Sequence, residues 1–177
     1  TPRSLNPQAE KLANFHRNYS GINVKVVNLD LIYQEFGGGK QDIGAIRNFI
    51  KYVYQNASSS AKKVKYVNLF GDASFDFKDR IRNNTNIVPI YHAVNSYYET
   101  AASFSSDDYF VMMDSNEGNL DIGYGAPDIA VGRMLISSAQ QAEEMVNKVI
   151  EYYDIKSYGS WRNNYVAISD DSDKSSD

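Results

Sequence analysis

The chain has 177 residues, 42% of them hydrophobic, which suits one buried core. Its formal net charge of −4 argues against a nucleic-acid binder, which would normally show a clustered basic face. The sequence contains no cysteine, which excludes disulfides, thiolate metal sites and a cysteine nucleophile within these residues. No apolar run approaches the roughly 18 residues that a membrane helix needs, so no transmembrane segment is expected.

The first two elements are a helix and a strand. Asn6 is predicted to cap the helix, and Pro7 fits its first turn because proline lacks a backbone N–H. Gly21 is predicted to follow its end. The apolar, β-branched stretch 22–29 predicts a strand.

A second helix and strand follow. Asp42 is the predicted cap of the helix, whose apolar residues recur at helical spacing: Ile43, Ile46, Ile50 and Val53. Residues 64–70 predict a strand that ends at Gly71 and Asp72. A long polar connection then runs from 73 to about 106.

The second half predicts a hairpin, a buried strand, a helix and a final strand. Residues 109–113 are predicted as one strand of the hairpin, with its turn at 114–118, and "DIAVGRM" is the buried strand. Ser138 and Gln141 have the spacing of a capping box for the third helix. "NYVAIS" predicts the last strand, at 165–169.

This alternation predicts an α/β fold: doubly wound, with a mainly parallel sheet and helices on both faces. The last predicted strand has no helix to cover it. We therefore expect the chain to stop after the first strand of a second unit.

Carboxylates follow two of the predicted strands. Asp72 and Asp76 come after 64–70, and Asp170 and Asp171 come after 165–169. Ligands bind at the carboxyl ends of parallel strands, where a carboxylate can orient a histidine or bind a cation. Each of these residues also fits an ordinary cap or turn, which is the favoured interpretation from spacing alone.

The turn "DSNEGNLD" offers oxygen ligands of the kind that calcium prefers, among them Asp114, Asn116 and Asp121. Gly118 stands where an EF-hand places an oxygen ligand, and the closing bidentate glutamate is missing. A turn between strands explains the asparagine and glycine without a metal. No cofactor is therefore expected, and calcium is the alternative.

The sequence has two histidines. His16 lies beside apolar positions of the first helix and is expected to be packed or half-exposed. His92 lies in the long connection. A serine–histidine–aspartate triad using His92 stays open, although no G-x-S-x-G motif supports it.

Five segments, in order, resemble the front part of the gingipain family of cysteine peptidases: "YQEFGGGKQDIGAIRNFIKYVY", "YVNLFGDASFD", "SSDDYFVMMDSNEG", "DIAVGRMLISSAQQAEEMVNKVIEYY" and "WRNNYVAISDD". Within this family the chain is most similar to the PorU-type sortases of the Bacteroidetes type IX secretion system. The resemblance covers about residues 31–171.

The resemblance implies two consecutive caspase-like α/β subdomains, of which the first supports and the second is catalytic. Residues 1–155 would form the supporting subdomain, and 156–177 the linker and first strand of the catalytic one. The parent would be a secreted or cell-surface endopeptidase that acts on protein or peptide substrates. It would use a cysteine–histidine dyad downstream, with the remaining catalytic subdomain as its partner.

The family places an acidic residue after the first catalytic strand, where it orients the catalytic histidine. Asp171 is the first candidate for this role and Asp170 the second. Asp107, Asp108 and Arg133 are expected to be structural.

Two other function classes stay open. One is a pseudo-peptidase or surface binding module that keeps the scaffold without the dyad. The other is a doubly wound domain that binds a small ligand. A histidine–glycine pair and a strand-end cysteine beyond residue 177 would favour the peptidase.

Overall fold

The computed structural model describes residues 1–93, 104–118, 120 and 125–168. Its helices are α1 (Asn6–Tyr19), α2 (Leu29–Phe36), α3 (Ile43–Gln55) and α4 (Ala139–Tyr152). Its strands are β1 (Tyr66–Phe70), β2 (Tyr91–His92), β3 (Ser105–Ser106) and β4 (Ala130–Met134). Short 3-10 helices occupy Arg3–Leu5, Ser60–Lys62, Asp108–Val111, Ile155–Ser157 and Ser160–Asn163.

Polar caps start α3 and α4. The Asp42 carboxylate accepts a hydrogen bond from the Gly44 N–H at 2.7 Å, as the sequence predicts for an N-cap. The Ser138 hydroxyl likewise accepts from the Gln141 N–H at 3.2 Å. The Gln141 side chain accepts from Ser137 rather than from Ser138, so the predicted capping box is displaced by one residue.

The start of α1 differs slightly from its prediction. Leu5 occupies the N-cap position without a side-chain bond, and Asn6 is the first helical residue. Pro7 lies in the first turn, as expected. The preceding 3-10 turn at Arg3–Leu5 shifts the cap toward the N-terminus.

Strands β1 and β4 pair in parallel, from Tyr66 opposite Ala130 to Phe70 opposite Met134. Strands β2 and β3 form a separate antiparallel pair. Successive residues of a strand point to opposite faces. Leu69 accordingly packs in a core with α2 and α3, whereas Phe70 packs in a core with α1 and α4. The parallel pair is thus covered on both faces, and the fold class is α/β as predicted.

The prediction of a strand at residues 22–29 is wrong. Residues 22–28 have no regular secondary structure, and no strand pairs with them in the described part of the chain. Val26 and Val27 do pack against the two opposite cores, which explains the strand-like pattern. Leu29 begins α2, which the sequence analysis missed, although Leu29, Ile32 and Phe36 have helical spacing.

The predicted hairpin strand at 109–113 is also wrong. Asp108–Val111 is a 3-10 helix, and the four consecutive residues 110–113 are all buried. Continuous burial cannot come from an alternating surface strand, so the run fills the α2–α3 core instead.

The final strand predicted at 165–169 is not formed over 165–168, and residue 169 lies outside the described residues. Tyr165 and Ile168 are 92% and 95% exposed. A strand needs a neighbour for its backbone groups, and within the described ranges nothing pairs with this segment.

The longest helices of the described residues, α1 and α4, have fourteen residues each and are too short and too polar to cross a bilayer.

Candidate functional site

The carboxyl edge of β1 and β4 is where a parallel sheet usually binds ligands. Pairing continues past the strands, because the Gly71 N–H donates to Met134 O at 3.2 Å and the Asp72 N–H donates to Ile136 O at 2.9 Å. Gly71 has a φ of +152°, and a Cβ there would lie 2.6 Å from Val88 Cγ2. Only glycine fits, so this edge is closed by tight packing directly after β1.

Arg133, on β4, is the central polar residue of this edge. Its guanidinium forms a two-point ion pair with Asp107, at 2.9 Å from Nε and 2.7 Å from Nη2. The remaining N–H groups donate to the carbonyls of Gly71, Val88 and Pro89 at 3.0, 2.6 and 3.2 Å.

All five N–H donors of Arg133 are therefore occupied, and its side chain is only 7% exposed. No donor is left for a substrate. The pair joins β4 to the chain after β1 and to the start of the 3-10 helix at Asp108–Val111, so its role is structural. The structural roles expected for Arg133 and Asp107 agree with these contacts. Asp107 occupies the N-cap position of the 3-10 helix, but its carboxylate binds Arg133 and makes no capping bond.

Asp76 is the other buried charged group of this edge. Its carboxylate accepts hydrogen bonds from the backbone N–H groups of Arg80 and Ile81, at 2.5 and 2.6 Å. Backbone donors stabilise a carboxylate inside a turn without a metal. Asp72 similarly accepts from the next residue's N–H at 2.8 Å. Both residues are turn formers here, in agreement with the favoured interpretation from spacing.

His92 and Ser105 face each other across β2 and β3, with Ser105 Oγ 2.9 Å from His92 Nδ1. His92 Nε2 is buried and has no hydrogen-bond partner among the described residues. The carboxylate of Asp107 is held by Arg133. The described residues thus bring a serine and a histidine together, but they add no carboxylate to complete a triad.

The Tyr109 ring is stacked on Tyr91, the residue before His92, at a centroid distance of 5.0 Å. Burial raises the pKa of Tyr109, the Arg47 guanidinium opposes the rise, and the negative charge of Asp42 and the neighbouring Tyr91 add to it. The hydroxyl is therefore neutral at physiological pH.

The acidic turn at 114–118 is bound by two cations of α3. Lys51 Nζ donates to Asp114 O at 3.0 Å, and Arg47 donates to Glu117 O at 2.9 Å and to Met112 O. These adjacent positive charges oppose a bound cation. Asn116 lies in the same turn, and Asp121 lies outside the described residues. Within the described ranges, acidic and histidine side chains form no cluster of metal-site size.

His16 packs against Phe15 and Tyr153, and its Nδ1 lies 3.1 Å from Ser20 Oγ. It is half-exposed on α1, as the sequence predicts. Asp170 and Asp171 lie outside the described residues, so their candidate role stays a prediction.

A sequence model of peptidase family C25 matches residues 1–177. The chain belongs to this family, the gingipain family. Its α/β fold is similar to that of dimeric latent PorU from Porphyromonas gingivalis, whose crystal structure superimposes with a TM-score of 0.72 at 29% sequence identity. The similarity covers 93% of this chain but 16% of the PorU chain. No significant match was found among curated proteins.

Within this C25 chain, the described polar contacts at the carboxyl edge and at the acidic turn are structural. A cysteine peptidase needs a thiol, and this C25 chain has none. Its most polar contacts, Arg133 with Asp107 and Arg47 with the acidic turn, fix loops in place. Sequence reasoning missed both contacts. For the contact between Arg133 and Asp107, the one signal in the sequence was the charged Arg133 inside the apolar strand "DIAVGRM".

Proposed function

We propose that this C25 chain is the N-terminal, supporting part of a secreted or cell-surface cysteine endopeptidase whose cysteine–histidine dyad lies downstream of residue 177. The observation that carries the proposal is the family match over every residue of the chain. The absence of cysteine agrees with a nucleophile in another part of the parent. The saturated donors of Arg133 suit a supporting role.

In this proposal residues 1–155 are the supporting subdomain and 156–177 are the linker and first strand of the catalytic subdomain. Packing favours this division, because the two cores use residues from Leu5 to Ile150. Residues 165–168 contribute to neither core, are exposed and lie in no helix or strand. Such a segment is suited to pair with strands of the catalytic subdomain, the proposed partner.

Asp171, or else Asp170, would orient the catalytic histidine. A carboxylate that accepts the imidazole N–H fixes the tautomer and stabilises the imidazolium formed during acyl transfer. In the parent enzyme, Asp171→Asn should lower kcat by about 10²-fold or more, while Asp170→Asn should change it much less. Equal small effects of both substitutions would remove the role from this pair.

The proposed substrates are proteins or peptides, and the proposed task is removal of C-terminal sorting signals during type IX secretion. The support is the similarity to PorU and the family match. No cofactor is needed for acyl transfer through a thiolate.

A thiol-dependence assay tests the proposal. The parent protein is purified with everything that follows residue 177, and peptide cleavage is measured with and without iodoacetamide. We expect cleavage that iodoacetamide abolishes. Thiol-independent cleavage would contradict the proposal. No cleavage by a folded parent lacking a downstream cysteine would instead leave a pseudo-peptidase or binding module.

A further inference from the structure

We propose that the loop of residues 74–84 is a docking surface for a polypeptide in which carboxylates alternate with large apolar side chains. The loop follows β1 at the carboxyl edge of the sheet. The inference goes beyond the proposed peptidase function and does not depend on it, because binding to the loop can be measured without any peptide cleavage.

The loop exposes an unusual amount of apolar surface. Phe75, Phe77 and Ile81 are 72%, 57% and 50% exposed within seven residues. Single exposed apolar residues are ordinary, whereas several on one loop, flanked by polar groups, mark interaction sites.

The loop backbone is held in shape, although its side chains face solvent. Asp76 lies buried at its centre, and its carboxylate binds the N–H groups of Arg80 and Ile81. Asn84 Nδ2 donates to Asp76 O at 2.7 Å. Asp79 and Asn83 adopt left-handed φ angles of 53° and 59°, which these two residue types tolerate better than most. A preformed loop loses little conformational entropy when a partner binds.

The exposed charge of the loop is opposite to that of the chain. Lys78, Arg80 and Arg82 are exposed cations, and Asp79 is the one exposed carboxylate of the loop, whereas the whole chain carries −4. Arginine pairs with carboxylates through two parallel hydrogen bonds, and aromatic residues and arginine are enriched at the centre of interfaces. The complementary partner is acidic and apolar.

A protein partner fits better than a lipid surface. A membrane surface faces many residues of the chain at once, and the net charge of −4 opposes adsorption to anionic lipid. A short polypeptide contacts the loop alone, so its carboxylates face Lys78, Arg80 and Arg82 rather than the acidic remainder of the chain.

The test is fluorescence anisotropy of a labelled peptide with the repeating sequence Asp-Phe-Glu-Leu, titrated with the full chain at low ionic strength. We expect saturable binding that weakens with salt. The double substitutions Phe75→Ser with Phe77→Ser, and Arg80→Glu with Arg82→Glu, should each weaken binding by about tenfold or more. A peptide with lysine in place of each acidic residue should not bind.

Ile155→Ser is the matched control, since Ile155 is 77% exposed but lies after α4, in the 3-10 helix Ile155–Ser157 and outside the loop. It should leave binding unchanged, and circular dichroism should show that all variants are folded. The proposal is overturned if the acidic peptide does not bind, if the loop variants bind as well as wild type, or if phosphatidylglycerol vesicles bind through the loop while the peptide does not.

Discussion

The ion pair between Arg133 and Asp107 connects the segments that meet at the carboxyl edge of β1 and β4. The pair is largely buried, and the guanidinium also donates to three backbone carbonyls. A buried charge that loses its partner is expensive, because neither water nor another group replaces the lost interaction. Single substitutions at these positions should therefore act on stability.

Asp107→Ala should lower the free energy of unfolding by about 3 kcal/mol or more, because it leaves Arg133 buried and partly unpaired. The neighbouring Asp108 is exposed, and Asp108→Ala should cost less than about 0.5 kcal/mol. Urea unfolding of both variants measures the difference. Equal effects would show that the ion pair contributes no more than a surface carboxylate.

Because of Tyr33, the free energy of unfolding should fall at alkaline pH. Burial raises its pKa, and the negative charges of Asp30 and Asp42 raise it further. The folded protein keeps the neutral phenol, whereas the unfolded chain releases the proton above pH of about 10. The stability linked to Tyr33 is thus complete below that pH and is lost as pH rises above it.

Tyr33→Phe should consequently reduce the loss of stability between about pH 10 and pH 11. It should not weaken the protein at pH 7, because the buried hydroxyl has no hydrogen-bond partner among the described residues. Urea unfolding across this pH range measures the effect, and Tyr52→Phe, at an exposed position, is the control. A Tyr33→Phe profile identical to wild type would contradict this.

At the scale of elements, cap residues and hydrophobic periodicity correctly predicted the helix starts and strands that depend on local sequence. Asp42 and Ser138 were correctly identified as caps, and β1 and β4 formed where predicted. The failures have non-local causes. Residues 22–28 have a strand pattern but no paired neighbour among the described residues, and 110–113 are buried by contacts that no local pattern specifies.

The site was less predictable than the elements. Arg133 binds a residue 62 positions away in the sequence, and Arg47 binds a turn residue 70 positions away. Such contacts follow from the packing of the whole sheet. Spacing within the sequence could suggest that Asp72 and Asp76 form turns, but it could not identify the partner of Asp107.

The cap of α3 gives a test at this scale. Asp42→Ala should destabilise the protein by about 1 kcal/mol, because the Gly44 N–H loses its acceptor. Asp42→Asn should retain most of the stability, since asparagine is an equally good cap. Thermal unfolding compares the two. If both substitutions cost the same, the charge at this position matters rather than the cap.

At the scale of the whole molecule, the described chain is a covered parallel pair with an uncovered C-terminal segment. Amide hydrogen exchange should be fast over residues 165–168, which are exposed and unpaired within the described ranges, and slow over Tyr66–Phe70. Equal protection of the two segments would contradict the proposed subdomain boundary.

The central proposal is that residues 1–155 of this C25 chain support catalysis without taking part in it, and the parent carrying Asp107→Ala tests this most directly. Active sites would be titrated with an irreversible thiol-directed peptide inhibitor, and kcat would be expressed per titrated site. We expect fewer active molecules after mild heating but an unchanged kcat per active site. A reduced kcat per site in a fully folded, fully titratable enzyme would contradict a purely supporting role.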